Sequence, residues 1–312
     1  MSIPASNEPI RLALIGAGRW GRNVIKTCAA LGGQVRLAAI ASGNPDTAAL
    51  APPGCVVFAS WREMLAAGGL DGVIVCTPPD QHAEMALAAI QSGIPVLVEK
   101  PLTRDVAEAE AVAGAAAKSG VPVMVDHIHL YNPAFRKLLD LLPTLGAVRE
   151  IRGQAGNRGP YRADASVLWD WGPHDLAMIG TLLGTRPETL AARRLEQAEI
   201  EGVRAETLEL ALRYPGGVSA SCIIGTLMDR RRILEVTCEG GTLVYDDNAP
   251  AKLTLDGVPV ACDGPSPLAT IISEFSEVAA RRRTVDGGLG LGVEVVRLLA
   301  RCETLLEGPC AA

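Results

Sequence analysis

The chain lacks any apolar run approaching the roughly 18 residues that a membrane-spanning helix needs, so a helical membrane span is excluded. It also lacks a surplus of basic residues: 29 Lys and Arg stand against 35 Asp and Glu, a net charge of -6. Nonspecific binding to nucleic acid or to an anionic membrane requires the opposite balance, which leaves a small molecule as the expected partner. None of the eight cysteines is spaced C-x-x-C, and several sit inside apolar runs such as GVIVC and SASCII. They read as buried thiols in a reducing compartment, and no metal site is expected. The opening MSIPASNEPI has neither a basic n-region nor an apolar h-region, so the expected location is cytoplasmic. Internal repeats and low-complexity linkers are missing too, the tract AEAEAVAGAAAK reading as helix because Ala, Glu and Lys all favour it.

What is present is a globular composition, 48% hydrophobic and 21% charged over 312 residues, which is comfortable for two domains. From residue 10 to about 125, short β-branched runs (IRLALIG, VRLAAIA, CVVFA, GVIVC, PVLVE, VPVMV) alternate with longer Ala-rich segments. That alternation predicts an α/β, doubly wound parallel sheet covered on both faces. Beyond 125 come a helical NPAFRKLLDLL, the run GAVREIRGQA and a Gly-, Arg- and Asp-rich loop over 156–166. Long alternating runs follow at 188–199, 203–214, 217–228 and 232–238, punctuated by Pro215-Gly216-Gly217, Gly240-Gly241 and Asp256-Gly257. They predict a large, mostly antiparallel open sheet, closed by helices over 267–281 and 289–307. The expected division is a doubly wound domain over 1–125 and a second domain over 126–312, the last helix being a candidate to pack back on the first domain.

ALIGAGRWGRN spaces Gly16, Gly18 and Gly21 as G-x-G-x-x-G directly after a strand and at the opening of a helix. The first two glycines permit the tight turn and close approach of a pyrophosphate, the third lets helix pack on strand, and the helix N-terminus offers unpaired N–H groups. Ala17, Arg19 and Trp20 complete this loop. The ribose-reading position near the end of the second strand carries Ser42-Gly43-Asn44 in place of an acid. An acid there would repel a 2′-phosphate; Ser42 leaves NAD and NADP both open, with a slight lean to NADP. Arg19 and Arg22 are either phosphate ligands or, more commonly for helix arginines, solvated.

Lys100 falls just past the carboxyl end of a predicted strand, where ligands of open parallel sheets bind. In LWDWGPHDLAM, Asp170 and His174 lie at i and i+4, on one face of a helix start. A carboxylate there can hold an imidazole in one tautomer. An imidazole so held can take or give a proton near neutral pH, which suits it to general acid–base work. Trp169 and Trp171 are expected to pack in the core more than to line a pocket. His82 reads as a structural residue bonding loop backbone at a helix start, with cofactor contact as the second reading. The arginine triplets at 230–232 and 281–283 read as solvated or interface charge.

The stretch VIVCTPPDQHAEMALAAIQSGIPVLVEKPL, with Thr77-Pro78-Pro79, His82 and Glu99-Lys100-Pro101, resembles the Gfo/Idh/MocA family of NAD(P)-dependent oxidoreductases, and with the glycine motif and WDWGPHDLAM the resemblance spans nearly the whole chain. The resemblance implies a Rossmann domain, a C-terminal domain whose open sheet often forms the dimer interface, and a homodimer or homotetramer. It further implies hydride exchange with a sugar, polyol or nucleotide-linked sugar. Carried over by motif, Lys100, Asp170 and His174 are the catalytic trio. Thr77, Pro78, Pro79, His82, Glu99 and Lys100 join the cofactor set. DHIHLYNPAFR and GNRGPYRADAS supply substrate candidates: His127, Tyr131, Asn157, Arg158 and Tyr161, with Asp126, His129, Asn132 and Arg162 beside them. Asp175 directly follows the His, where a second Asp is more usual three residues on, and is either a substrate contact or a helix cap. Two other readings stand: a non-catalytic dinucleotide-binding sensor, and a reductase of a non-sugar small molecule such as an imine or a tetrapyrrole.

Overall fold

A computed structural model describes residues 8–163, 165–282 and 288–308. Arg283, Cys310 and the first seven residues, on which some of the readings above fall, lie outside the described residues. The chain divides into two compact units, one made of residues up to Asp126 together with Pro267–Val293, the other of His127–Ser266 with the segment from Glu294 onward.

In the first unit, strands and helices alternate: β1 (Ile10–Ile15), α1 (Arg19–Ala30), β2 (Val35–Ala41), α2 (Thr47–Leu50), β3 (Val56–Phe58), α3 (Trp61–Ala67), β4 (Gly72–Val75), α4 (His82–Gln91), β5 (Val96–Glu99), α5 (Val106–Ser119) and β6 (Val123–Asp126). All six strands are parallel in the order β3-β2-β1-β4-β5-β6. The central strands are buried along nearly their whole length because helices cover both faces, which is why they read as continuous β-branched runs and not as alternating ones. The order reverses at the β1–β4 pair, and in open parallel sheets that reversal opens a crevice at the carboxyl ends. A Cβ on Gly21 would lie 2.1 Å from the Gly16 carbonyl oxygen, so only glycine lets α1 lie this close to the loop after β1.

In the second unit, α6 (Pro133–Leu141) precedes β7 (Val148–Gly156), α7 (Val167–Leu183) and the long strands β8 (Thr189–Ile200), β9 (Val203–Arg213), β10 (Ser219–Gly225) and β11 (Arg231–Cys238). Three shorter strands, β12 (Gly241–Asp246), β13 (Leu253–Leu255) and β14 (Val258–Pro259), extend the sheet and were not anticipated. The eight strands run in the order β14-β13-β12-β11-β7-β10-β9-β8, antiparallel except where β10 pairs with β7. Leu208, Leu210, Ala220, Cys222, Ile224, Leu234 and Val236 line the face that α7 covers. The opposite face carries ion pairs such as Arg193–Glu209 and Arg152–Glu150.

Helix α8 (Pro267–Ala279) belongs to the first unit, as does the start of α9 (Leu289–Glu307). The expected continuous domain over 126–312 is therefore interrupted, and it is chiefly α8 that returns to the Rossmann sheet. Phe275 fills the space above Gly72 and Leu12, and the Gln34 amide donates to Ser276 Oγ at 3.2 Å. The return is made through contacts with residues more than 200 positions earlier in the chain, so it was not legible in the sequence. The thiols also correct the first reading: Cys28, Cys222, Cys238 and Cys302 are buried, whereas Cys55, Cys76 and Cys262 are only partly so.

A methyl group at Gly72 would approach Phe275 Cζ to 2.9 Å and Leu12 Cδ2 to 3.1 Å. Gly72→Ala is expected to cost about 1–3 kcal/mol by overpacking, read from urea unfolding, and Phe275→Leu in the same chain should return part of it. An unchanged transition would show that α8 does not seal this sheet.

Candidate active site

On the first unit, four loops at the carboxyl ends of the strands carry the candidate residues. Gly16 takes φ +96°, and a Cβ there would sit 2.6 Å from the Cys76 carbonyl oxygen, so β1 turns directly over the end of β4. Gly18 is the N-cap of α1 and offers no capping side chain; nothing lies within 4 Å of where its Cβ would be. The amide end of α1 thus faces open space with its donors unused by a cap, and these residues fit a dinucleotide pyrophosphate. Arg19, Arg22 and Lys26 border a cleft on α1 of about 430 Å³. Ser42, after β2, spends its hydroxyl on the Asn44 amide at 3.1 Å, and Asn44 Oδ1 accepts from Asp46 N–H at 3.0 Å, so this turn is built by neutral side chains.

His82 is fully buried at the start of α4, its ring nitrogens 2.9 Å from the carbonyls of Pro101 and Thr77. It pins the Thr77-Pro78-Pro79 loop to the turn after β5, the structural role favoured above. Lys100 leaves β5 at that turn, joined to Pro101 by a cis peptide bond, and its backbone N–H donates to Glu99 Oε2 at 3.1 Å. Burial, and then the neighbouring Asp126, push the Glu99 carboxyl well above the usual range; burial raises Asp126 as well, against the Lys100 charge. Trp20, 38% exposed, donates its indole N–H to Asp126.

On the second unit, Ser166 caps α7 by accepting the Trp169 N–H, and Asp170 follows in the first turn, where a carboxylate suits the helix dipole. Asp170 and His174 emerge on one face, both partly exposed. Arg162 Nη1 lies 3.7 Å from Asp170 Oδ1. The ring of His129 meets that of His174 edge-on at 5.0 Å between centroids. His129 Nδ1 in turn is 3.1 Å from the hydroxyl of the buried Tyr245, which also accepts from Asn132. Asn132 caps α6 through its other amide atom, so its earlier reading as a substrate group becomes a structural one.

Asp175, nine residues into α7, faces the sheet with no exposed surface and does not cap the helix. Its partner is Arg232 at 3.5 Å, and that guanidinium lies 5.0 Å over the Trp171 ring. Arg232 is thus no solvated charge, its side chain being 13% exposed; Arg230 and Arg231 are exposed. Trp169 packs in the core with its indole N–H on Glu303. His127 is buried, while Tyr131, stacked under Arg136, and Tyr161 are partly exposed. Asn157 and Gly159 hang from the β10 end through backbone bonds to Gly225 and Thr226, and the exposed Arg158 pairs loosely with Asp229. The described residues contain no cluster of three or more His, Cys, Asp or Glu able to hold a metal ion.

Comparison with known proteins settles the family. Residues 10–127 match the model described as an oxidoreductase family with an NAD-binding Rossmann fold, and residues 137–244 match the GFO/IDH/MocA C-terminal domain. The chain belongs to the Gfo/Idh/MocA family. It is 36% identical over 320 residues to a 4-carboxy-2-hydroxymuconate-6-semialdehyde dehydrogenase of Sphingobium sp. SYK-6, covering 96% of this chain and 99% of that one. Similarity to a UDP-N-acetylglucosamine 3-dehydrogenase of Acidithiobacillus ferrooxidans is 31% over 188 residues, covering 59% of this chain and just 57% of the relative. A solved oxidoreductase from Magnetospirillum magnetotacticum MS-1 superposes with a TM-score of 0.90 at 44% identity, over 95% of this chain and 100% of that one.

For this family member, the Glu99–Asp126 and Asp175–Arg232 pairs escaped the sequence reading. The first was foreshadowed by two acids ending neighbouring predicted strands, VLVE and VMVD; the second had no local signal, since 57 residues separate its members.

Gly18→Ala is expected to leave the urea midpoint unaltered while weakening NADH and NADPH binding, whereas Gly16→Ala should destabilise the fold itself; equal effects would remove Gly18 from the pyrophosphate site. The Asp175 carboxyl is pushed from 3.8 to about 6 by burial, partly offset by Arg232. The folded chain keeps this proton where the unfolded chain has lost it, so the contribution is full below about pH 4 and fades as pH rises through 6. Between pH 4 and 7 the parent should lose on the order of 2 kcal/mol more than Asp175→Asn. Identical pH slopes in denaturant titrations would refute this.

Proposed function

We propose that the protein is an NAD(P)-dependent oxidoreductase that moves a hydride between nicotinamide and the carbinol or carbonyl carbon of a sugar, polyol or nucleotide-linked sugar. The observation carrying this reading is the pair Asp170 and His174 on one face of α7, in a chain whose other unit has a dinucleotide loop. Bound nicotinamide supplies the hydride acceptor, or the donor in reverse. In the oxidising direction His174 takes the hydroxyl proton as the C–H hydride departs and the C=O bond forms, and Asp170 holds the imidazole in the receiving orientation. The Lys100 ammonium donates a hydrogen bond to the oxygen as negative charge develops on it. A dinucleotide sensor needs no base beside a carbinol, so these three side chains argue for turnover. We further assign the protein to the cytoplasm and to a homodimer or homotetramer; among the described residues no helix is long and apolar enough to cross a membrane.

A second substrate class is favoured by one observation: the relative matched over almost its full length is named for a carboxylated semialdehyde. An aldehyde presents the same H–C–O–H unit as its hydrate or as a ring-closed hemiacetal, so the same base serves. Arg158 and Arg162, on the loop beside α7, suit a carboxylate. A screen of free polyols, nucleotide sugars and hydroxy- or oxo-dicarboxylates, followed by NADH and NADPH absorbance, separates the two classes. Activity on none of them would leave the sensor reading in its place.

With any accepted substrate, Lys100→Met and His174→Asn should each lower kcat/KM by roughly 10²–10⁴-fold while cofactor affinity stays within a few-fold. Undiminished turnover in either variant sinks the proposed trio. Ser42→Asp should shift preference from NADPH toward NADH by excluding a 2′-phosphate, and an unchanged ratio would mean that the 2′ position is read elsewhere.

A further inference from the structure

Glu99 and Asp126 end the neighbouring parallel strands β5 and β6 and stand opposite one another in register. Each side chain has one oxygen accounted for: Glu99 Oε2 accepts the Lys100 N–H, and Asp126 accepts the Trp20 indole. The remaining oxygens, Glu99 Oε1 and Asp126 Oδ1, are sealed from solvent, and no N–H or hydroxyl of the described residues donates to either. Two bare carboxylates in this position would set like charges side by side without solvent or donor, which is costly. A single proton between the two sealed oxygens satisfies both. The Lys100 ammonium also faces the pair, as does the Cys76 thiol, whose pKa is raised first by desolvation and then by these two carboxyls.

We propose that Glu99 and Asp126 share one proton between Oε1 and Oδ1, so that the pair carries a single negative charge, and that Asp126 is a positioning residue acting through Glu99 on the Lys100 turn. The proton resides on Glu99, whose carboxyl donates to ionised Asp126; with the ammonium the cluster is then neutral. Through the Trp20 indole the same carboxylate ties the glycine loop to the turn that bears Lys100. The inference rests on the reading of Lys100 as the group that stabilises the alkoxide.

Two measurements on the full chain without cofactor or substrate test it. Infrared spectra at pH 8, where Asp175 is ionised, should contain a deuterium-sensitive carbonyl stretch of a protonated carboxylic acid that disappears in Glu99→Gln. Absence of that band in the parent, or its survival in Glu99→Gln, overturns the proposal. Competitive acetylation of Lys100 with acetic anhydride, followed across pH by peptide mass spectrometry, counts the charge. Glu99→Gln keeps one anion and should leave the Lys100 titration midpoint in place, whereas Glu99→Gln with Asp126→Asn removes it and should lower the midpoint by roughly half a unit or more. A Glu99→Gln shift about half that of the double variant means that the pair was a dianion, and one as large as that of the double variant means that the single charge sat on Glu99; either overturns the proposal. If circular dichroism shows the double variant unfolded, the infrared comparison decides alone. Neither readout uses turnover, so an active Lys100→Met would sink the reaction scheme without touching the shared proton, and a missing band would do the reverse.

Discussion

Helix α7 has to press one side into an apolar sheet while keeping Asp170 and His174 on another, and the residue directly after His174 is an acid pointing at that sheet. Burying Asp175 is tolerable because Arg232 reaches it from β11, and Gly153 on β7 leaves room, a Cβ there falling 2.8 Å from Asp175 Oδ1. The guanidinium is held in turn by the Trp171 ring. This pair fixes the rotation of α7 about its axis, hence the direction in which the imidazole and its neighbouring carboxylate face. Removing one partner of a buried pair costs far more than the pair contributes, so the orientation resists drift.

The first unit solves a related problem with backbone. Four loops meet at the carboxyl end of one sheet, where a dinucleotide has to reach the main chain. Glycines set the closest approaches, and buried polar groups tie the loops together. His82 joins the loop after β4 to the turn after β5, and Asp126 joins the end of β6 to Glu99 and to Trp20. Rigid loops on a parallel sheet give the precision that hydride transfer demands, because small misplacements of reacting groups are expensive.

The second unit contributes polar side chains. The loop over 156–163 hangs by backbone bonds from β10 and presents Arg158, Tyr161 and Arg162, while His129 meets His174 and is linked through the Tyr245 hydroxyl to Asn132. The proposed choice between sugar and carboxylate substrates rests on the polar groups of this loop, because a fold supports its chemistry through the site it carries.

Much of this was legible in one dimension. The parallel sheet, the glycine loop, the E-K-P turn and the Asp170–His174 spacing are periodic or local features, and periodicity and short spacing act through adjacent backbone, whatever the rest of the chain does. Strands β13 and β14 were missed because they are only three and two residues long; β12 alternates, with Leu243 and Tyr245 buried, and was missed although the Gly240-Gly241 turn announces it. The assignment of α8 to the Rossmann unit, the burial of Arg232 out of a triplet that looked solvated, the capping role of Asn132 and the partnership of Glu99 with Asp126 all depend on residues far apart in the chain. Those were decided by tertiary structure alone, because the free energy of burying a charge or filling a gap depends on what the fold brings beside it.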